Sequence, residues 1–312
     1  MLLPAGYELR APTPDDFDAV AAVMVADELD DAGQVTLGAD FIGGEWSRLA
    51  ANIATDAWVA VDRDGTVVAY AQVLLEDTTV ARSWGVVHPE HRGRGVGSAL
   101  IDRVDARATE LLRGAPSGRF RHAINANDRA AAVLLEARGL RPVHHFWHMQ
   151  TDLAGPPDPG PEPEGIDIAG IDPAHDLPIV HSILDEAFID DRSHHPKPFA
   201  RWVEDETSSP HYDPTLWLLA RDSGESAGVL TASVGEDRGW VEYLAVLAPF
   251  RSRGIASALL RRSFAAFADR GVQRALVSVD AQNPTGATGV YERVGMRVVK
   301  RWDLWERTLD GS

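Results

Sequence analysis

Two short segments of the chain combine arginine and glycine in an order that suits an anion. The first comprises Val87, Arg92, Gly93, Arg94, Gly95, Val96 and Gly97, and the second Val246, Leu247, Ala248, Arg251, Ser252, Arg253, Gly254, Ile255, Ala256 and Ser257. Each follows a β-rich run and precedes an amphipathic helix, whose first N–H groups lack partners within the helix and carry roughly half a positive charge. Glycine or alanine lets a pyrophosphate approach the backbone, and the arginines can add charge-assisted hydrogen bonds. The pattern predicts a phosphate-binding turn, the alternative being a glycine that merely ends a strand.

These turns differ from two well-known nucleotide-binding loops. Neither is followed by Gly-Lys-Ser/Thr, which excludes a P-loop. Ser98 and Ser257 stand where a dinucleotide-binding fingerprint has its third glycine. Each turn also comes after several predicted strands, whereas the dinucleotide fingerprint follows the first strand of its domain.

The two turns belong to a tandem duplication. Val87–Gly97 aligns with Val246–Ala256, and further along Gly139-Leu140-Arg141 aligns with Gly295-Met296-Arg297. Two motifs in the same order at nearly constant separation indicate an internal repeat. A proline-rich stretch between them reads as a semi-rigid spacer. The sequence therefore predicts an N-terminal domain over 1–154, a linker over 155–165 and a C-terminal domain over 166–312.

The elements that must position the turns are a mixture of strands and helices. Residues 7–10, 57–61 and 67–73 are predicted strands, and residues 62–65 a hairpin turn between two of them. In the second half, residues 216–220 and 227–230 repeat this hairpin pattern. After each glycine-rich turn, apolar residues at helical spacing predict an amphipathic helix. These residues are Leu100, Ile101, Val104, Ala108 and Leu111 in the first half, and Leu260, Phe264 and Phe267 in the second.

The pattern Arg/Gln-x-x-Gly-x-Gly/Ala after a fourth strand resembles the acetyl-CoA signature of the GNAT N-acetyltransferase superfamily. Residues 283–296 resemble that superfamily's second conserved block. The resemblance implies an α/β (α+β) chain of two tandem GNAT folds, each a mixed, mostly antiparallel sheet flanked by helices. It also implies a cradle for acetyl-CoA, the acyl-donor substrate. The backbone near Leu244, Leu247 and Ala248 would pair with the pantetheine arm, and residues 251–256 would bind the pyrophosphate. Asn283 would help to hold the cofactor or a water, the alternative being that it caps the N-terminus of a helix.

The resemblance also assigns catalytic roles. Direct transfer to an amine needs a base for the ammonium and an acid for the departing thiolate. The tyrosine of the second block, Tyr291, takes the role of acid, and Glu242 on the strand before the second turn is the candidate base, acting directly or through water. The first half has Leu135 and Ser83 at the matching places. We therefore expect a catalytic C-terminal domain and a catalytically degenerate N-terminal domain. The alternatives are a core tyrosine and a solvated or salt-bridged glutamate.

Composition narrows the function classes. The chain has 312 residues and no cysteine, which excludes disulfides and any cysteine-bound intermediate. Its net charge of −17 argues against a nucleic-acid partner and leans slightly towards a cationic substrate. No apolar run approaches the length of a membrane helix, so we expect a cytoplasmic protein without a membrane partner. The repeat does not maintain the histidines at 144, 145 and 148, so no metal site is predicted.

The leading hypothesis is an acetyl-CoA-dependent N-acetyltransferase that acts on a primary amine of a small molecule or peptide. The tandem architecture is similar to that of mycothiol synthase, in which the C-terminal half is the active one. The catalytic glutamate expected there falls at Trp240 in this chain, two residues before Glu242. An antibiotic-modifying or peptide α-amine acetyltransferase therefore fits equally well. The alternative from another class is a non-catalytic acyl-CoA-binding or sensing protein. Two packed repeats would form a pseudo-dimer, which leaves a monomer or a homodimer open.

Overall fold

The computed structural model describes residues 3–153, 155, 160–189, 196–209, 211–235, 237–282 and 287–309. Residues 156–159 of the proline-rich stretch and Asn283 lie outside these described residues. The first half contains β1 (Tyr7–Arg10), α1 (Phe17–Ala32), α2 (Ala39–Leu49), α3 (Ile53–Asp56), β2 (Ala57–Asp62), β3 (Val67–Asp77), β4 (Val80–Val87), α4 (Val96–Leu111), β5 (Gly118–Asn125), α5 (Arg129–Glu136) and β6 (Arg141–Asp152). The second half contains β7 (Ile166–Gly170), α6 (Pro173–Ala187), α7 (Phe199–Thr207), β8 (Leu218–Asp222), β9 (Glu225–Val234), β10 (Gly239–Val246), α8 (Ile255–Asp269), β11 (Arg274–Asp280), α9 (Ala287–Arg293) and β12 (Arg297–Leu309).

The chain forms two compact units, residues 1–147 with 300–312 and residues 148–299. In the first unit the strand order is β1-β2-β3-β4-β5-β12, and in the second it is β7-β8-β9-β10-β11-β6. Most strand pairs are antiparallel, whereas β4 with β5 and β10 with β11 are parallel. The predicted fold class, a mixed and mostly antiparallel sheet flanked by helices in each repeat, is confirmed.

The last strand of each repeat, β6 or β12, has residues in both compact units. Within the first unit, β12 pairs with β5 from Trp302 opposite Asn125 to Leu309 opposite Gly118. Within the second, the end of β6 lies beside β11, where the Leu153 N–H donates to the Gln273 carbonyl oxygen at 2.7 Å. The compact units are therefore not identical with the ranges 1–154 and 166–312.

The predicted apolar stripes lie in the cores. Leu100, Ile101, Val104 and Ala108 of α4 are buried against the first sheet, and Leu260, Phe264 and Phe267 of α8 are buried in the second unit. The Phe267 ring lies so close to Gly239 that a Cβ at that position would clash with it. This contact identifies the face of β10 that α8 covers, and α6 also packs against β9 and β10. In the described ranges, no helix has the length and apolar character needed to span a bilayer.

Candidate active site

The turn before α8 has the geometry of an anion-binding helix start. Gly254 takes φ of 84° at the position before the first helical residue, Ile255. A non-glycine residue is strained in this left-handed region. A Cβ on Gly254 would have a single neighbour within 4 Å among the described residues, the Cβ of Pro163 at 4.0 Å. No described side chain caps the helix, so its first N–H groups stay open to a ligand.

The two arginines of this turn differ in their partners. Arg251 is exposed, and its Nε donates to the Val246 carbonyl oxygen at 3.0 Å. Within the described part of the chain it forms no ion pair, so its charge is available to an anion. Arg253 forms an ion pair with Asp222 at 2.5 Å, and this contact lowers the pKa of that carboxyl group.

A β-bulge in β10 opens the sheet beside the turn. Val241 lies opposite Ala232 of β9, but Tyr243 lies opposite Thr231, so Glu242 is the extra residue. A bulge bends its strand and interrupts pairing. The parallel ladder with β11 accordingly ends at Val241, and Glu242 and Tyr243 are exposed. Beyond the bulge, residues 243–246 keep their ladder with β9. Their other edge can pair with an extended ligand.

Glu242 is held on the side of the sheet opposite α8. The Ser233 hydroxyl donates to its Oε1 at 2.7 Å. Ser233 lies opposite Trp240 in the ladder, so these three side chains share one face. Trp240 is itself fixed edge-on against His148, with ring centroids 5.3 Å apart. The carboxylate therefore lies on the face opposite α8 and turns towards β9.

Tyr291 is in α9 and is 6% exposed. Burial raises the pKa of its phenol, so the hydroxyl stays protonated at neutral pH. Its hydroxyl has no hydrogen-bond partner among the described residues. A buried, protonated phenol of this kind can donate a proton to a thiolate. At the matching place in the first unit, Leu135 is 1% exposed and belongs to the hydrophobic core.

The turn of the first unit has the same backbone but a neutralised arginine. Gly95 takes φ of 87° before α4, which repeats the geometry at Gly254. Arg92, however, forms ion pairs with Asp27 at 2.5 Å, Asp30 at 2.7 Å and Asp31 at 3.2 Å. Burial raises the pKa of the Asp27 carboxyl to about 6. These three aspartates of α1 neutralise the charge of Arg92, whereas Arg251, at the matching position, forms no ion pair among the described residues.

Pro4 further narrows the approach to the first turn. A Cβ on Gly95 would lie 3.1 Å from the Pro4 Cγ, closer than the 4.0 Å between the corresponding Cβ on Gly254 and Pro163. At Gly95, Pro4 thus takes the space beside the glycine that a ligand would need. The same backbone geometry therefore offers less room for a phosphate in the first unit than in the second.

The first unit also lacks the opening between its parallel strands. The ladder of β4 with β5 runs from Val80 to Trp84. The pairing of β4 with β3 shifts register between Leu75 and Asp77, opposite Val80 and Ala81, but it is regular at Ser83 and Trp84. The Ser83 hydroxyl donates to the Arg121 carbonyl oxygen and lies 2.6 Å from Nδ1 of His122. Both side chains are buried. This Ser83–His122 pair joins the two strands where the second unit has its gap.

Large side chains fill the corresponding face of the first sheet. Glu45, 2% exposed, accepts hydrogen bonds from Gln72 at 2.6 Å and Trp84 at 3.0 Å. The Tyr70 hydroxyl donates to Gln72 at 2.7 Å. By ladder register, the positions of Tyr70, Gln72 and Trp84 are taken in the second unit by Val229, Thr231 and Tyr243. The first unit therefore has larger side chains at two of these positions, where Val229 and Thr231 are also buried in the second unit, and only Tyr243 is exposed.

The Ser83–His122 pair makes the stability of the first unit depend on pH. Burial lowers the pKa of His122 to about 4, below the value near 6.5 of an unfolded histidine. As pH falls from 6.5 to 4, the unfolded chain binds this proton and the folded chain does not. We expect a loss of about 2 kcal/mol between pH 7 and pH 5. Urea unfolding should show that His122→Phe removes this part of the pH dependence and that replacement of the exposed His145 does not. Equal pH dependence in wild type and His122→Phe would contradict it.

Comparison with known proteins agrees with this geometry. A model of the acetyltransferase (GNAT) family matches residues 177–296, and a model of the acetyltransferase (GNAT) domain matches residues 54–139. A mycothiol acetyltransferase of Streptomyces avermitilis is 32% identical over 252 residues, which cover 78% of this chain and 77% of the relative. The chain is a tandem member of the GNAT acetyltransferase family. The predicted acyltransferase class is confirmed.

Solved structures of GNAT proteins extend the similarity to the whole chain. A GCN5-related N-acetyltransferase from Sphaerobacter thermophilus is 32% identical, with a TM-score of 0.85 and 99% of each chain covered. A tandem GNAT protein from the clavulanic acid biosynthesis pathway has a TM-score of 0.71 at 17% identity, covering 97% of this chain and 98% of that one. The second match shows the tandem fold alone.

Sequence reasoning missed several residues that shape the two GNAT sites. Ser233 was not singled out, although its position two residues from Thr231 puts both hydroxyls on one strand face. The aspartate cluster was also missed. The acidic run at the end of α1 could have indicated it, because residues 27, 30 and 31 share a helix face. No group of His, Asp or Glu side chains in the described ranges is arranged to hold a metal ion.

Proposed function

We propose that the chain is an acetyl-CoA-dependent N-acetyltransferase that moves the acetyl group directly to a primary amine, with its chemistry in the second unit. The observation that carries this proposal is the bulge at Glu242, which opens β10 from β11 beside an uncapped helix start. The first unit keeps the turn but has a closed gap, a filled face and a paired arginine. It is therefore the degenerate repeat.

In the proposed binding mode, the pyrophosphate lies on the first N–H groups of α8, with Arg251 adding a charge-assisted contact. Gly254 lets it approach the backbone. The pantetheine arm pairs with the free edge of β10 between residues 244 and 248. An extended ligand added to an open strand edge is a common recognition mode. The arm would place the thioester in the gap between the parallel strands.

In the proposed reaction, Glu242 removes a proton from the ammonium of the acceptor, directly or through one water. The amine nitrogen attacks the thioester carbonyl carbon, and a C–N bond forms while the C–S bond breaks. Tyr291 gives its proton to the departing thiolate. The second proton that the nitrogen must lose passes through solvent to the tyrosinate, which restores the phenol, and Glu242 releases the first proton to solvent. Each group acts in the protonation state that its step requires. The products are an amide and coenzyme A.

The acceptor class follows from the relatives. The curated relatives are mycothiol acetyltransferases, so the acceptor of those enzymes is the first compound to test. Other small-molecule and peptide amines, including amine-bearing antibiotics, belong in the same screen. The exposed carboxylate of Glu242 suits any acceptor that presents an ammonium.

A thiol-release assay tests the proposal. The chain has no cysteine, so with a thiol-free acceptor the coenzyme A formed is the only thiol in solution. We expect wild type to release it only when a primary amine is present. Glu242→Gln should lower kcat about 100-fold and leave the KM for acetyl-CoA unchanged, because base catalysis contributes factors of this size.

Glu225→Gln, an exposed glutamate of β9, is the matched control and should keep wild-type kinetics. Unchanged turnover in Glu242→Gln would contradict the role of Glu242 as the base. Binding of acetyl-CoA without transfer to any amine and without slow hydrolysis would favour a non-catalytic acyl-CoA-binding protein instead.

A further inference from the structure

Ser278 is an exposed hydroxyl in the middle of an otherwise buried strand. It lies in β11, between the buried residues Val277 and Val279. The ladder with β10 ends at Val277, one residue before it. Among the described residues, the Ser278 hydroxyl has no hydrogen-bond partner. Its exposure follows from the departure of β10 at the bulge.

Register places Ser278 beside the proposed base. The ladder of β10 with β11 begins at Gly239 opposite Ala275, and three residues along each strand lead to Glu242 and Ser278. Leu276 lies opposite Trp240, and side chains two residues apart share a strand face. Ser278 is therefore on the face that carries Trp240, Ser233 and Glu242. Ser278 and the backbone of Glu242 lie on either side of the gap, and the carboxylate itself is turned towards Ser233 of β9.

The first unit shows what happens when this gap is closed. Its parallel ladder begins at Val80 opposite Arg119, and three residues along lead to Ser83 and His122. There the two side chains meet at 2.6 Å. In the second unit, Glu242 instead turns to Ser233 on its other side. Ser83 and His122 lie opposite the core residues Val73 and Trp305, on the face that α4 covers, whereas Glu242 and Ser278 lie on the face opposite α8.

A second unpartnered hydroxyl lies on the same face. Thr231 is 1% exposed, and its Oγ1 has no hydrogen-bond partner among the described residues. It lies opposite Tyr243 at the bulge and two residues from Ser233. Buried polar groups are rarely left without a partner unless a ligand or water supplies one. On the face of Ser233 and Ser278, the second unit therefore has a buried hydroxyl for which the described residues supply no partner.

We propose that Ser278 binds the acceptor amine and orients it for attack. This inference rests on the proposed function. A primary ammonium carries three N–H groups: one proton goes to Glu242, and of the two N–H groups that remain, one donates to the Ser278 hydroxyl oxygen. Held from both sides of the gap, the nitrogen directs its lone pair along the gap towards the thioester carbon. Ser278 is thus a residue that contacts the acceptor and does not contact the acyl donor.

Steady-state kinetics of Ser278→Ala tests this. We expect the KM for the acceptor amine to rise about 10-fold, the equivalent of one hydrogen bond, with the KM for acetyl-CoA within twofold of wild type. Ser278→Thr keeps the hydroxyl and should restore the acceptor KM. Ser47→Ala, at an exposed serine of α2, is the control and should match wild type. Circular dichroism and thermal unfolding verify that each variant is folded.

The outcomes separate the two proposals. Wild-type transfer with an unchanged acceptor KM in Ser278→Ala overturns the role of Ser278 and leaves the proposed function standing. A rise in the KM for acetyl-CoA in place of that for the acceptor also overturns it. If wild type neither binds acetyl-CoA by calorimetry nor acetylates any amine, the proposed function fails and the inference fails with it.

Discussion

Tyr291→Phe is expected to lower kcat for acetyl transfer by about 100-fold or more, the lower end of the range for general acid–base catalysis. The variant loses only the phenolic hydroxyl. That hydroxyl has no partner among the described residues, so its removal should not disturb packing. Burial raises the pKa of Tyr291, which keeps the phenol protonated at the pH of the assay. The KM for acetyl-CoA should stay close to the wild-type value.

The leaving group provides the sharper test of this acid. An acetyl donor whose thiolate is less basic than that of coenzyme A needs less help from an acid, so the defect of Tyr291→Phe should shrink with it. Tyr212→Phe removes a hydroxyl elsewhere in the second unit and is the matched control. A kcat within twofold of wild type, or a defect independent of the leaving group, would contradict the role assigned to Tyr291.

Lys300→Met is expected to lower the free energy of unfolding by about 3–5 kcal/mol, the cost of leaving one partner of a buried ion pair alone. Lys300 and Glu28 are each 1% exposed, and their Nζ and Oε1 atoms are 2.5 Å apart. Glu28 also accepts hydrogen bonds from the backbone N–H groups of Thr36 and Leu37. In Lys300→Met these backbone hydrogen bonds would remain, but the Glu28 carboxylate would have no counter-charge. Urea unfolding at pH 7 measures the loss in free energy of unfolding.

The double variant Lys300→Met with Glu28→Gln separates the pair from ordinary packing loss. The neutral amide that replaces the carboxylate can still accept from the Thr36 N–H, so the double variant should be more stable than Lys300→Met alone. If the losses of Lys300→Met and Glu28→Gln simply add in the double variant, the two charges do not act as a pair.

Lys197 is the other lysine in the chain and provides the control. It is exposed, so Lys197→Met should change the free energy of unfolding by less than about 1 kcal/mol, as is usual for a surface ion pair.

The turns and their helices could be predicted because they are local. Gly95 and Gly254 do take the left-handed backbone, and the helices begin at Val96 and Ile255. Helical spacing also identified the buried faces of α4 and α8. Alignment of the two repeats alone predicted that Leu135 replaces the tyrosine. Leu135 is buried because its side chain is apolar.

What could not be predicted depends on contacts between distant residues or on the register of pairing. Arg92 matches the motif, but its neutralisation needs Asp27 and its neighbours in α1. The bulge at Glu242 leaves no mark in the alternation of residues along β10. The pairing of β12 with β5 was also missed, because neither motif specifies which unit a terminal strand joins.

We expect a single working acyl-CoA site, and we expect it in the second unit. Calorimetric titration with acetyl-CoA tests it, using Gly95→Trp and Gly254→Trp as a matched pair. Both glycines have positive φ before a helix, so both substitutions impose comparable backbone strain. Thermal unfolding of each variant controls for folding.

We predict one molecule of acetyl-CoA bound per chain, with binding retained in Gly95→Trp and lost in Gly254→Trp. Two sites per chain, or a single site that is lost in Gly95→Trp and survives in Gly254→Trp, would contradict the account.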